Sequence, residues 1–115
     1  MNDIQIISTP ITKAELTQIA EKRFGDMVKA VVDVEKRVMA IGGELHADEE
    51  AVLLEQGSMQ DSVWGINLYV DLSEQEWIEF DSMINVRPAK HNRSRSVENE
   101  EIKKKIVQIV NELIK

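Results

Sequence analysis

The chain has no cysteine, which excludes a disulfide framework, a thiol nucleophile and thiolate metal ligation. Aromatic residues make up only 4% of it, so aliphatic side chains must fill most of any core. No apolar run approaches the roughly 20 residues that a membrane-spanning helix needs, and no membrane role is expected. The opening Met1-Asn2-Asp3 lacks the basic and apolar regions of a secretory leader. Together with the missing cysteine, this predicts a cytoplasmic protein. There is no internal repeat and no Gly-, Pro- or Ser-rich linker in the 115 residues, which predicts a single domain.

Positive charge is missing over a long stretch. Between Val38 and Val86 there is no lysine or arginine, but there are eleven acidic residues. Arg87, Lys90, Arg93 and Arg95 then follow with no acid among them. Solvated surfaces normally intersperse the two signs, so the acidic middle and the basic loop are expected to answer each other, within one subunit or across two. Asp81 and Glu79 are the first partners expected for the loop. The net charge of −7 argues against sequence-independent binding to nucleic acid or to anionic membrane. A local basic loop can still hold one small anion.

The residues that are present predict an α+β fold. An antiparallel sheet of four to five strands carries about three helices on one face, in the order β-α-β-β-α-β-β-α. Residues 3–8 read as an extended segment. Thr12-Lys13-Ala14-Glu15 is a capping box that opens a helix over 12–24, with Gly25 as its stop. Residues 27–46 read as a β-hairpin because β-branched residues dominate, with a helix over 27–41 as the alternative. Its turn lacks Gly and Asn, and Gly42-Gly43 is expected to bend or bulge the second strand. Asp48 is expected to cap a short helix ending at Gly57. Residues 62–70 and 77–87 alternate as strands joined by a loop over 71–76. A last helix starts near Asn99, with Ile102, Ile106, Ile109, Val110 and Leu113 as its stripe.

If Ile78, Phe80, Ile84 and Val86 point toward the helices, the alternation puts Asn67, Tyr69, Glu79, Asp81, Asn85 and Arg87 on the opposite face, together with Trp77 and Met83. Glu44, His46 and Asp48 would add to Glu79 and Asp81 an imidazole and several carboxylates. That donor set suits a divalent metal and a metal-activated water. Alternating polar residues are also what one hydrated sheet face produces. The second candidate is the basic loop, where Arg87, Lys90, Asn92, Arg93, Ser94 and Arg95 combine guanidinium forks, amides and hydroxyls ahead of a helix. His91 could add a donor there. The loop lacks the glycine spacing of a P-loop or dinucleotide fingerprint, and its cations could instead pair with the protein's own acids.

The segments Gly43-Glu44-Leu45-His46-Ala47-Asp48-Glu49-Glu50, Trp64-Gly65-Ile66-Asn67-Leu68-Tyr69, Ser82-Met83-Ile84-Asn85-Val86-Arg87-Pro88 and Asn92-Arg93-Ser94 resemble a family of small bacterial and archaeal proteins known only as a domain of unknown function. The likeness runs from Ile7 to the last helix and implies no activity, cofactor or catalytic residue. From the residues themselves, three functions are expected in this order. The first is a non-enzymatic or regulatory domain that forms a homodimer through its sheet. The second is a divalent-metal-dependent hydrolase or phosphate-ligand enzyme. The third is an anion or nucleotide binder acting through residues 87–95.

Overall fold

A computed structural model describes residues 3–115. Met1 and Asn2, on which the expectation of no secretory leader partly rests, lie outside the described residues. After the short edge strand β1 (Gln5–Ile7), Thr12 caps α1 (Lys13–Arg23). The Thr12 hydroxyl accepts from the Glu15 amide at 3.0 Å, and the Glu15 carboxylate accepts from the Thr12 amide at 3.4 Å. This is the expected capping box.

Strands β2 (Met27–Asp33) and β3 (Val38–Ile41) form the expected hairpin. Its turn works without Gly or Asn because Asp33 supplies the missing bonds. The Asp33 carboxylate accepts from the Glu35 and Lys36 amides, both at 2.9 Å, and Arg37 takes a left-handed φ of 59°. The paired glycines do not bulge β3. The strand stops at Ile41, and Gly42, at φ 91°, turns the chain out of the sheet.

Helix α2 (His46–Glu55) is capped three residues before the expected Asp48, at Leu45, which makes no side-chain capping bond. Strands β4 (Val63–Tyr69) and β5 (Ile78–Glu79) complete a five-stranded, fully antiparallel sheet in the order β1-β3-β2-β4-β5. Helix α3 (Glu100–Leu113) starts at the expected Asn99, whose side chain accepts from the Ile102 amide at 3.1 Å. The fold is therefore α+β with the expected order of elements.

The helices do not share one face. Leu16 and Ala20 of α1 and the Ile106, Ile109, Val110 and Leu113 stripe of α3 cover Val28, Ala30, Val32, Trp64, Ile66 and Leu68. On the other side, Leu53 of α2 packs with Val31, Ala40 and Val63. Successive strand residues point to opposite faces, and β2 and β4 are apolar at both parities. Each face therefore needs its own cover, and the molecule has three layers.

The largest departure lies in residues 77–87. Only Ile78–Glu79 pairs with β4. Residues Met83–Asn85 then form a 3-10 turn capped by the Ser82 side chain. Trp77, expected on the polar face, is buried in the α1/α3 core, and Ile84 crosses to the α2 side. The cause is Asn85, which is fully buried. Its Oδ1 accepts from the Gly65 amide at 2.8 Å, and its Nδ2 donates to the Gly65 carbonyl at 2.9 Å. One side-chain amide thus satisfies the β4 edge in place of a continuing strand.

Asn85→Ala would leave that amide and carbonyl buried and unpaired, costing about 3 kcal/mol in urea unfolding. Asn85→Asp is expected to be no better, because it sets a carboxylate oxygen against the Gly65 carbonyl. Stability within about 0.5 kcal/mol of the native chain for either variant would refute this role.

Candidate functional site

The expected metal ligands do not come together. Glu44 is exposed, 3.6 Å from Arg23. Asp48 is exposed in the first turn of α2. Glu79 accepts from Asn67 Nδ2 at 2.8 Å and from the Tyr69 hydroxyl at 3.1 Å, and Asp81 pairs with Arg95 at 2.7 Å. Among the described residues no three His, Asp or Glu side chains are grouped to hold a metal ion. The expectation failed because His46 starts a helix instead of continuing a strand, so Glu44, His46 and Asp48 do not share a face.

Part of the sheet face expected to carry a homodimer is occupied by the chain's own segments. Helix α2 and the 82–87 segment cover that part within one chain.

What does assemble is a small cleft between β2, the start of α2 and the 82–95 segment. Its volume is about 180 Å³, and its walls include Lys29, His46, Ser82 and Arg95, with Leu45 and Met83. Lys29 comes from the α2-facing side of β2, directly across from Asn67 of β4. Ser82 and His46 meet over Gly65. A Cβ on that glycine would lie 2.6 Å from Ser82 Oγ and 3.2 Å from His46 Cδ2, so no larger residue fits. Asn67 adjoins the cleft and also donates to the Asp81 carbonyl at 3.3 Å.

His46 is buried and its Nε2 lies 2.8 Å from the Ile66 carbonyl oxygen. A carbonyl can only accept, so Nε2 carries the proton. Burial holds the imidazole pKa below its ordinary value, outweighing the bond to Ile66. A neutral ring is therefore favoured, a neutral donor rather than a cation.

Glu49, one turn into α2, is fully buried. Its Oε2 accepts from the Gly43 amide at 2.9 Å, while Oε1 has no hydrogen-bond partner. Burial pushes its pKa up to about 9, against the opposing pull of the Gly43 bond and of Lys29. At neutral pH it is an uncharged acid and does not neutralise Lys29.

The basic loop divides. Arg95 lines the Lys29 cleft. Arg87, Lys90 and Asn92 border a second cleft of about 430 Å³, beside Trp64, Asp61 and Glu98. Each cation there has its acid: Arg87 lies 3.5 Å from Glu50 and Lys90 2.9 Å from Asp61. Arg87 also stacks on Trp64 at 4.8 Å and donates to the Val63 carbonyl at 2.6 Å. Asn92 is spent on the loop itself, donating to the carbonyls of Asn85 and Ser96, both at 2.7 Å. The Ser94 and Arg93 amides, at 2.8 and 2.9 Å, bind the Glu98 carboxylate, whose pKa these bonds lower, the Ser94 amide first. The side chain of Arg93 is exposed.

Among the expected site residues, the fold thus gathers His46 and Arg95, with Asn67 and Asp81 adjoining. Lys29, Ser82 and Glu49 were missed. A lone lysine within the otherwise apolar run 27–32 was the available signal, and it becomes legible only once both faces of β2 are known to be covered.

A family model described as "Protein of unknown function (DUF5674)" matches residues 5–113. No curated protein and no solved structure matches the chain.

Glu49 sets a pH dependence. Its folded-state pKa of about 9 exceeds the ordinary 4.5, so the unfolded chain ionises first and stability falls as pH rises between those values, by up to about 1.4 kcal/mol per unit. Glu49→Gln should match the native melting temperature near pH 4 and exceed it by a gap that widens toward pH 9. Parallel melting curves across that range would contradict the assignment.

Proposed function

The chain belongs to this family of proteins of unknown function, and from that premise we propose that it is an oxyanion-binding domain that takes a phosphate-class group into the Lys29 cleft. The observation that carries this reading is the unmatched charge of Lys29. It is half-buried, its ammonium lies 5.4 Å from the centre of the Phe24 ring, and it has no carboxylate within salt-bridge distance among the described residues. The cleft wall carries two cations and no acid, and the adjoining Asp81 pairs with Arg95.

An anion about 4 Å from one unpaired ammonium gains roughly 4 kcal/mol at the effective dielectric of a protein surface. The Arg87 cleft offers no such gain, because two acids already balance its two lining cations. Ser82 adds a hydroxyl, whereas the His46 Nε2–H is spent on the Ile66 carbonyl. The first turn of α2, which no side chain caps, adds the His46 and Ala47 backbone amides and the positive end of the helix dipole, the Asp48 and Glu49 amides being bound to the Leu45 carbonyl.

The proposal includes a cytoplasmic address, from the absence of cysteine, and a homodimer. Copies would join edge to edge along β1, which is at the edge of the sheet and bears the exposed Ile6. A monomeric mass by light scattering at high micromolar concentration would remove the dimer and leave the binding site untouched.

Inorganic phosphate, at constant ionic strength, should raise the melting temperature of the native chain. The stabilisation should approach about 2.7 kcal/mol at a hundredfold excess over Kd. Lys29→Met keeps the aliphatic stem and should weaken phosphate at least about tenfold. Undiminished binding by that variant, or no phosphate effect beyond that of sodium chloride, would overturn the reading.

A further inference from the structure

We infer that the group bound in the Lys29 cleft is the head of an organic phosphate whose apolar body lies on Leu45 and Met83, and that inorganic phosphate fills only part of the site. This rests on the oxyanion reading above and names the ligand class.

Among the described residues, the most exposed large hydrophobic side chains are Met59, Met83 and Leu45, at 70%, 65% and 54%. Two of these three border the same cleft, whose remaining wall combines Lys29, Arg95, His46 and Ser82 with the apolar Ala47 and Ile84. Single exposed aliphatics are ordinary on a protein surface. A pair of them on one charged cleft is different, because such a mouth complements a molecule with an anionic end and an apolar end.

Leu45 is in place because it is the N-cap of α2, and Met83 because it opens the 3-10 turn after Ser82. Neither belongs to the two buried apolar clusters. Their exposure is therefore not a by-product of core packing. An occupant of inorganic phosphate alone would leave both side chains in water. A phosphomonoester carrying a ring or short chain would cover them.

The test titrates phenyl phosphate and inorganic phosphate into the full chain by calorimetry, with the Met83 methyl resonance as a local reporter. Phenyl phosphate should bind about tenfold more tightly and should shift the Met83 methyl. Leu45→Ala, which supplies no capping oxygen, and Met83→Ser, both at exposed positions, should bring the ratio toward one and leave inorganic phosphate affinity unchanged. Lys29→Met should weaken both ligands.

Equal affinities in the native chain, with phosphate binding intact, would overturn this inference and leave the oxyanion reading standing. Binding of neither ligand would remove both. Phenyl phosphate binding that survives Lys29→Met would place the head outside the cleft and also overturn the inference. Co-sedimentation with phosphatidic acid vesicles, lost in Lys29→Met, would support the inference with a lipid as the source of the monoester. Binding of the small ligands alone would support it with a soluble source.

Discussion

The pairing of the Asn85 amide with the Gly65 backbone is the constraint on which the rest of the molecule depends. It closes the edge of β4 where β5 has already ended, and it does so at both the donor and the acceptor. The same Nδ2 also reaches the Arg95 carbonyl at 2.9 Å, and the Ser82 amide donates to that carbonyl at 3.0 Å. Ser82, Asn85 and Arg95 are thereby tied into one knot above Gly65. A buried polar network of this kind specifies a single geometry because every unsatisfied member would be costly. It is what brings Ser82 and Arg95 onto the wall that Lys29 and His46 form from the other side.

Electrostatics then decides which cleft is available to a ligand. The acidic middle and the basic loop answer each other within one chain, through Arg87 with Glu50, Lys90 with Asp61 and Arg95 with Asp81. The last two pairs are substantially exposed and contribute little to stability, on the order of 0–1 kcal/mol each. Arg87 differs, because it is largely buried, bonded to Val63 and stacked on Trp64. Removing it would strand Glu50 and a strand carbonyl. These pairs use up three of the loop's four cations internally, and the fourth, Arg93, is exposed. Lys29, far from the loop in sequence, is left half-buried without a carboxylate partner, and the neutral state of Glu49 keeps it so.

Burial of β2 and β4 on both faces explains why polar residues here are so constrained. Asp33, Glu49, Asn67 and Asn85 are all nearly or fully inaccessible, and each has at least one protein partner. Where the partner is a backbone amide alone, as for Glu49, the acid stays protonated. Where turn amides and the Ser58 hydroxyl converge, as at Asp33, the carboxylate organises the hairpin turn.

Periodicity and capping chemistry are local, so the sequence by itself determined the α+β class, the order of the elements, the Thr12–Glu15 box and the Asn99 start of α3. The segregation of charge likewise announced the pairing of the middle with the loop, Asp81 with Arg95 included. Alternation over 77–87 misled because a period of two records only which residues are apolar. It does not record whether a side-chain amide will take the place of the next strand. Which face each helix covers, the helical start at His46, the protonation of Glu49 and the lack of a carboxylate partner for Lys29 all depend on contacts between segments distant in the chain. Such contacts leave no local pattern, and only the tertiary structure decided them.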